Sequence, residues 1–216
     1  MTVSKKGNRQ GLFITFEGGE GSGKTTVLKQ VDAILKKEAI ATTATREPGG
    51  TLLGEQIRAL LLEKTEVPIA KRAELFLFLA ARAQNVAEVI VPALEEQAVV
   101  LCDRFTDSTL AYQGNNSEML QCCLVATAGL EPDLTLFFDI DPALGLKRAR
   151  QAGKVSPDRM EQRALDFHLS VRTAFLQLAK QYPERFFTLD ASLPLDTVVN
   201  HALEIIREAL AKVSLG

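Results

Sequence analysis

The chain has 216 residues, of which 25 are basic and 27 acidic, and its formal net charge is −2. This length suits one α/β domain with a substantial core, and the balanced charge gives no global field that attracts nucleic acid or an anionic membrane. Cys102, Cys122 and Cys123 fit neither a disulfide framework nor a zinc-ligand spacing, so we expect a reducing compartment. The apolar runs are too short to cross a bilayer and the N-terminus lacks a secretory pattern, which predicts a cytoplasmic protein.

Short β-rich runs alternate along the chain with longer segments of helical apolar spacing, after a polar tail expected to be frayed over residues 1–10. The five predicted strands are residues 12–17, 40–45, 98–103, 134–140 and 186–189. Because several of these strands are almost entirely apolar, the pattern predicts a parallel sheet covered by helices on both faces. We expect one α/β domain over residues 11–216, with its ligands beyond the carboxyl ends of the strands.

A glycine-rich run follows the first predicted strand and precedes a helix predicted to begin at Lys24. Its spacing fits the phosphate-loop pattern G-x-x-x-x-G-K-[ST], in which backbone N–H groups surround phosphate oxygens. We expect Lys24 to reach the β- and γ-phosphates of a nucleoside triphosphate, and Thr25 to ligate Mg²⁺. The predicted phosphate-binding residues are Gly18, Gly19, Glu20, Gly21, Ser22, Gly23, Lys24, Thr25 and Thr26. The alternative is a turn that only connects the strand and the helix.

Charged residues also follow the second and third predicted strands. Arg46 precedes a turn fixed by Pro48, and its guanidinium suits a phosphate, although pairing with a surface carboxylate is the alternative. Asp103 is a carboxylate suited to Mg²⁺, directly or through water, if the third strand neighbours the first. Arg104, next to it, can neutralise charge between two nucleotides or form an internal pair with Asp103.

The longest predicted helix, residues 71–97, carries Phe78 and Arg82 four residues apart and therefore on one face. A ring and a guanidinium on one face can bind a flat heterocycle, but from spacing alone a phenylalanine is more often in the core. Phe76 lies on another face and is expected in the core.

A locally basic segment with Gly and Pro signals, residues 147–161, is predicted to be a mobile lid. Arginines carried by a closing loop can stabilise a γ-phosphate in transfer and exclude water, and Arg148, Arg150 and Arg159 are the candidates. A solvated basic helix end is the alternative. Asp141 precedes the helix predicted to lead into this segment and is a good N-cap for that helix.

Taken together, these motifs resemble the thymidylate kinases, the bacterial branch in particular, over nearly the whole chain. The resemblance rests on Phe16-Glu17-Gly18 with the phosphate loop, residues 45–51, Phe78 with Ala80-Ala81-Arg82, Asp103-Arg104, residues 108–114 and residues 158–161. It implies a P-loop fold with a mobile lid that transfers the γ-phosphate of ATP to dTMP, for dTTP synthesis. It also implies a homodimer, to whose interface the helix of residues 71–97 can contribute.

The resemblance implies that Phe78 stacks on thymine, that Arg82 hydrogen-bonds to the base and that Thr109 contacts the pyrimidine. It also implies that Tyr112 lies against the sugar where a 2′-hydroxyl would project, and that Glu20 lies near the acceptor sugar and the metal. The implied dTMP-binding residues are Glu20, Arg46, Pro48, Phe78, Arg82, Arg104, Thr109, Tyr112 and Gln113.

For phosphoryl transfer, the resemblance implies that Arg46 and Arg104 contact the acceptor phosphate and the phosphates in transfer. Some members carry an arginine inside the phosphate loop, where this chain has Gly21 and Ser22. Basic side chains that stabilise the γ-phosphate are therefore expected to come from the lid. The expected catalytic residues are Lys24, Arg104, Arg148, Arg150 and Arg159.

Two other functions stay open at this point. One is a P-loop kinase of another small acceptor, such as a different nucleoside monophosphate. The other is a nucleotide-binding switch that signals by loop ordering. A guanine-specific switch is expected to carry Asn-Lys-x-Asp, which the sequence does not contain.

Overall fold

The fold is built on a parallel sheet, seen in a computed structural model that describes residues 11–62, 68–151 and 164–214. The strands are β1 (Leu12–Gly18), β2 (Thr42–Arg46), β3 (Val99–Asp103), β4 (Leu134–Asp139) and β5 (Phe186–Asp190). Their spatial order is β2-β3-β1-β4-β5, and every neighbouring pair is parallel. The predicted five-stranded parallel sheet is confirmed.

Helices connect successive strands and cover both faces of this sheet. In the described residues they are α1 (Lys24–Lys37), α2 (Leu52–Leu62), α3 (Lys71–Asn85), α4 (Val91–Glu95), α5 (Thr106–Gln113), α6 (Ser117–Thr127), α7 (Pro142–Gln151), α8 (Leu165–Gln181) and α9 (Leu195–Ser214). The helix predicted to follow the phosphate loop begins at Lys24, as expected. Asp141 caps α7 as expected, because its side chain accepts the backbone N–H groups of Ala143 and Leu144 at 3.0 and 3.1 Å.

The core lies on both faces of the sheet because successive side chains of each strand point in opposite directions. On β1, Ile14 and Phe16 belong to the cluster beneath α1 and α9, whereas Phe13 packs on the other side against Phe105. Each of these three β1 side chains is fully buried. Burial on both faces explains why the strands read as continuous apolar runs.

Two predicted strands begin later than expected, for the same physical reason. The N–H of Ile40 donates to the carbonyl of Leu35 at 3.0 Å, so Ile40 closes the end of α1 and β2 begins at Thr42. The N–H of Ala98 donates to the carbonyl of Ala93 at 3.0 Å, so β3 begins at Val99. In both cases the last helical carbonyls compete for a donor that the strand pattern alone assigns to the sheet.

The segment predicted as one helix over residues 71–97 is helical but not uniform. A single π-helical turn, Val86–Ile90, separates α3 from α4. Pro92 follows this turn, and since proline lacks an N–H and crowds the preceding turn, a widened turn here accommodates it.

Phe76 was expected in the core, and that expectation is wrong. Its side chain is 54% exposed, on an outer face of α3 that also carries the exposed Ala80 and Ala83. Within the described ranges, the helical segment Lys71–Glu95 is long and apolar enough to cross a membrane by length and composition. Of its apolar 18-residue window, 33% is buried. This is weak evidence for a span, because helices that pack within a fold pass the same test, and α3 packs against α2 and α6.

A buried ion pair joins the segment before β5 to α5. Arg185, 8% exposed, donates two hydrogen bonds to the fully buried Asp107, at 2.7 and 2.8 Å. Arg185 also donates to Thr135 on β4 at 2.7 Å, and its guanidinium lies over the ring of Tyr182. Because α5 begins just after β3, this pair also fixes the helix at the carboxyl edge of the sheet.

Replacing Arg185 with alanine should lower the free energy of unfolding by about 3–5 kcal/mol, because Asp107 is then left buried and unpaired. Urea denaturation followed by circular dichroism measures this loss. Arg207→Ala is the matched control, since it removes the half-exposed partner of Glu38 on the surface, where ion pairs contribute little. Equal losses in the two variants would contradict the expectation.

Candidate active site

The carboxyl ends of β1, β2 and β3 form one edge of the sheet. Asp103 pairs in register with Phe16 on β1 and with Arg46 on β2, so the condition set for Asp103, that the third strand neighbours the first, is met. Two backbone bonds continue this register, from the N–H of Arg104 to Phe16 and from the N–H of Glu47 to Asp103. A cavity of about 570 Å³ opens at this edge.

The phosphate loop is curled around the ammonium group of Lys24. Gly23 precedes α1 with φ 82°, a conformation that favours glycine. The Lys24 side chain, 6% exposed, donates to the carbonyl of Gly19 at 2.8 Å and to the hydroxyl of Ser22 at 3.3 Å. Burial, followed by the nearby charge of Arg104, lowers the pKa of Lys24 to about 8. The loop thus holds a cation at the N-terminus of α1, the position suited to a phosphate.

Two oxygen ligands suited to a divalent cation lie beside Lys24. The hydroxyl of Thr25 donates to the carboxylate of Asp103, which brings the two predicted metal ligands into direct contact. Over the described ranges, no group of three or more His, Cys, Asp and Glu side chains could hold a metal. The Thr25 hydroxyl and the Asp103 carboxylate are oxygen ligands that fit Mg²⁺, because this ion takes its remaining ligands from water and phosphate.

Arg104 lines the cavity and has a strained backbone conformation, with φ 71°. Its guanidinium donates to Glu20 at 2.6 Å, to the carbonyl of Gly18 at 3.1 Å and to Ser108 at 3.2 Å. It also lies over the ring of Tyr112, whose hydroxyl donates to Glu20 at 3.3 Å. Burial opposes its charged form, yet Tyr112 and Glu20 hold the pKa of Arg104 above its usual value.

Behind Arg104 lies a carboxyl group that the sequence motif contains but does not single out. The side chain of Glu17 is fully buried and accepts the N–H of Phe105 at 2.7 Å and the hydroxyl of Ser108 at 2.5 Å. Burial, reinforced by the charge of Asp107, raises the pKa of Glu17 to about 8. Glu17 therefore holds the start of α5 against the end of β1.

Arg82 joins three parts of the cavity wall and is only 2% exposed. It donates to Glu47 at 2.6 Å, to Thr109 at 2.8 Å and to the carbonyl of Phe105 at 2.9 Å. Asn85 donates to the other oxygen of Glu47 at 3.1 Å. Phe78, one helical turn before Arg82, lines the same cavity, so the two residues share one face as their spacing predicted.

Arg46, at the end of β2, also lines the cavity and is paired. Its guanidinium donates to Glu55 at 2.9 Å, and the two side chains are 52% and 44% exposed. This bond lowers the pKa of Glu55, which also accepts the N–H of Gly50. The surface pairing considered as an alternative for Arg46 is present, in a residue that also lines the cavity.

The predicted lid arginines are only partly placed. Arg148 lines the cavity and donates to the carbonyls of Ala191 at 2.6 Å and Ser192 at 3.1 Å, in the loop after β5. Arg150 is exposed and is not part of the lining. Arg159 lies outside the described residues, and of the predicted lid only residues 147–151 are described, as the end of α7.

Most predicted site residues line this one cavity. They are Glu20, Gly21, Gly23, Lys24, Thr25, Thr26, Arg46, Pro48, Phe78, Arg82, Asp103, Arg104, Thr109, Tyr112, Gln113 and Arg148. Gly18, Gly19 and Ser22 lie in the phosphate loop but not in the lining. Lining residues not predicted are Glu47, Arg58, Leu62, Ser108 and Ala149.

Sequence reasoning could have found some of these missed residues. Glu47 and Ser108 stand inside the quoted motifs, so their position beside Arg46 and Arg104 was a usable signal. Arg58 and Leu62 lie on α2, and no local spacing indicates which face of that helix meets the cavity.

A phosphate loop and an aromatic, arginine-lined wall within one cavity define the class of P-loop kinases that act on small phosphorylated acceptors. Comparison with known proteins narrows this class. A family model described as "Thymidylate kinase" matches residues 16–202. The chain belongs to the thymidylate kinase family.

Individual relatives agree over nearly their whole lengths. The thymidylate kinase of Bacillus velezensis is 45% identical over 210 residues, covering 95% of this chain and 99% of the relative. That of Deinococcus radiodurans is 50% identical over 192 residues, covering 87% and 92%. The crystal structure of thymidylate kinase from Ehrlichia chaffeensis has a TM-score of 0.71 at 30% identity, covering 91% of this chain and 98% of that one. The family does not favour the alternative acceptors or a switch function.

The lowered pKa of Lys24 predicts that nucleotide binding weakens at alkaline pH. In the protein without nucleotide, the pKa of Lys24 is about 8. Affinity for Mg·ADP should therefore fall about tenfold between about pH 7 and about pH 9, because the Lys24 ammonium loses its proton over this range. Isothermal titration calorimetry measures this.

Two variants separate the source of that pH dependence. Lys24→Arg keeps its charge and should flatten the profile. Glu17→Gln removes the other group with a pKa of about 8 and should leave the slope unchanged. An equal slope in wild type and Lys24→Arg would show that Lys24 is not the titrating group.

Proposed function

We propose that this cavity binds ATP and dTMP side by side and transfers the γ-phosphate of ATP to dTMP, giving dTDP. One observation carries the proposal: Lys24 of the phosphate loop and the pair Phe78 and Arg82 line the same cavity. The loop provides for a triphosphate, and the ring with its guanidinium provides for a flat base. A cavity with both kinds of wall suits transfer between two nucleotides.

On the donor side, the loop of residues 18–26 provides backbone N–H groups and Lys24 for the phosphates. Thr25 and Asp103 hold Mg²⁺, directly or through water. When bound, this ion supplies positive charge at the β- and γ-phosphates. Arg148, Arg150 and Arg159 remain candidates for basic contacts from the predicted lid, and of these Arg148 lines the cavity.

On the acceptor side, Phe78 stacks on the thymine ring and Arg82 and Thr109 contact its polar edge, with Pro48 and Gln113 completing the pocket. Arg82 is suited to this role because Glu47 already neutralises its charge and holds its orientation. A buried, pre-oriented guanidinium loses little freedom when a base binds.

The sugar and phosphate of dTMP lie between the base pocket and the phosphate loop. Tyr112 closes the position of a 2′-hydroxyl, and Glu20, bonded to both Tyr112 and Arg104, borders the sugar. Arg104 and Arg46 orient the acceptor phosphate. Arg46 reaches it by exchanging Glu55 for phosphate, an exchange that its exposure allows.

No strong general base is needed in this reaction. An oxygen of the dTMP phosphate is already ionised near neutral pH, so it attacks the γ-phosphorus of ATP while the bond to the ADP oxygen breaks. Positioning by Arg104 and charge neutralisation by Lys24 supply the acceleration. Glu17, buried behind Arg104, acts through position only.

The wider setting belongs to the same proposal. Residues 11–216 form one domain of a cytoplasmic homodimer that uses neither nucleic acid nor a membrane. Support for the dimer comes from exposed apolar side chains on the adjoining helices α2, α3 and α6, namely Leu52, Leu60, Phe76, Leu124 and Val125. Such a surface is typical of a protein–protein interface.

A panel of acceptors tests the reaction. Phosphate transfer from ATP to dTMP, dUMP, dCMP and AMP, followed by coupled ADP release, should give the highest kcat/KM for dTMP. Lys24→Ala should abolish turnover without changing the circular dichroism spectrum. Preference for another acceptor would overturn the substrate, and near-normal single-turnover transfer in Lys24→Ala would remove Lys24 from the mechanism.

Phe78→Ala tests the base pocket. Loss of a stacking ring should raise KM for dTMP about tenfold and leave KM for ATP unchanged, because stacking acts on one substrate only. Phe78→Tyr keeps the ring and should recover most of the affinity. Equal effects on both KM values would argue against stacking.

A further inference from the structure

Helix α7 approaches the phosphate loop backbone to backbone. A Cβ atom added to Gly21 would lie 1.8 Å from the carbonyl oxygen of Gly145, and one added to Gly145 would lie 2.3 Å from the carbonyl oxygen of Glu20. Both distances are far below an ordinary carbon–oxygen contact. The peptide of the loop therefore lies directly against the second turn of α7, with no side chain between them.

The two glycines are required for different reasons. Gly21 has φ 67°, so its backbone conformation alone favours glycine. Gly145 lies inside α7, where alanine is the preferred residue and glycine is among the least favourable. Nothing in a helical conformation asks for glycine at position 145. Its requirement comes from the approach of the loop.

The same helix is held at a second point, in the loop after β5. Arg148, one turn after Gly145 and on the same face, donates to the carbonyls of Ala191 and Ser192. Arg148 and Ala149 both line the cavity. Helix α7 thus runs from the phosphate loop to the loop after β5, and its position decides where Arg148 stands.

We propose that Gly145 is a positioning residue whose main-chain contact couples the conformation of the phosphate loop to the placement of α7 and Arg148. This inference rests on the proposed binding of ATP phosphates by the loop. When phosphate orders the loop, the Glu20–Gly21 peptide becomes a fixed surface against which α7 packs. Coupling is reciprocal, so a displaced α7 also disturbs the phosphate grip.

The contact also explains why position 21 stays without a side chain. Any residue other than glycine there would displace α7 from the loop. Cationic groups facing the donor phosphates therefore come from Lys24 and from α7 rather than from the tip of the loop.

Gly145→Ala in the full chain is the test, because alanine suits the helix and conflicts only with the loop. Calorimetry should show binding of Mg·AMP-PNP weakened by about tenfold, with dTMP binding changed by less than about twofold. KM for ATP should rise with it, and KM for dTMP should not. Ala143→Ser is the control, since it adds one atom to an exposed position of the same helix.

Equal losses for both ligands would mean general damage and would overturn the inference, as would unchanged AMP-PNP binding in a folded variant. Wild-type activity in the acceptor panel is measured separately. If the wild type is active and Gly145→Ala binds Mg·AMP-PNP as tightly as the wild type, the coupling is contradicted while the proposed function stands.

Hydrogen exchange on the wild-type protein tests the coupling without a variant. Mg·pyrophosphate fills a phosphate loop but carries no nucleoside that could touch α7. Its binding should slow amide exchange over residues 145–149, whereas dTMP alone should not. Unchanged exchange in α7 at saturating pyrophosphate would overturn the inference even if Gly145→Ala failed to fold.

Discussion

The site depends on the parallel pairing of β1 with β3, in which Phe16 stands opposite Asp103. This register sets the two strand ends level, so that the phosphate loop after β1 and the Asp103-Arg104 pair after β3 face each other. Three hydrogen bonds follow from this register: Thr25 donates to Asp103, Arg104 donates to the carbonyl of Gly18, and the N–H of Phe105 donates to Glu17. A shift of one residue would turn these side chains to the opposite face and remove all three contacts.

Around that register the protein assembles charges that are buried before any substrate binds. Glu47 and Arg82 neutralise each other, while Arg104 is balanced by Glu20. Burial raises the pKa of Glu17 and lowers that of Lys24, which shows that desolvation is not fully repaid at these two sites. Burying these charges lowers the folding stability, but it fixes the orientation of the charged groups and dipoles around the cavity. Transfer of a charged phosphoryl group is favoured by such dipoles because they need not reorganise during the reaction.

The parts predicted from sequence are those that local chemistry decides. The phosphate loop, the five-stranded sheet and the shared face of Phe78 and Arg82 follow from spacing within short segments. Contacts made between distant segments were not predictable: Arg148 binds carbonyls after β5, and Arg58 enters the cavity from α2. The core assignment of Phe76 was wrong because helical spacing identifies faces of a helix but not which face meets a neighbour.

The donor side of the cavity is formed mainly by backbone and the acceptor side mainly by side chains. This difference decides which substitutions each side can accept. Backbone dominates the donor side, where the carbonyl of Gly19 accepts from Lys24 and Gly21 meets Gly145 without side chains. Side chains dominate the acceptor side, where Arg82, Glu47 and Thr109 bond to one another. An added methyl group at position 21 or 145 would therefore displace the main chain, yet a side-chain network can change by paired replacement. Replacement of acceptor-side residues can consequently change acceptor preference through side chains alone, whereas a side chain at position 21 or 145 would move the phosphate loop against α7.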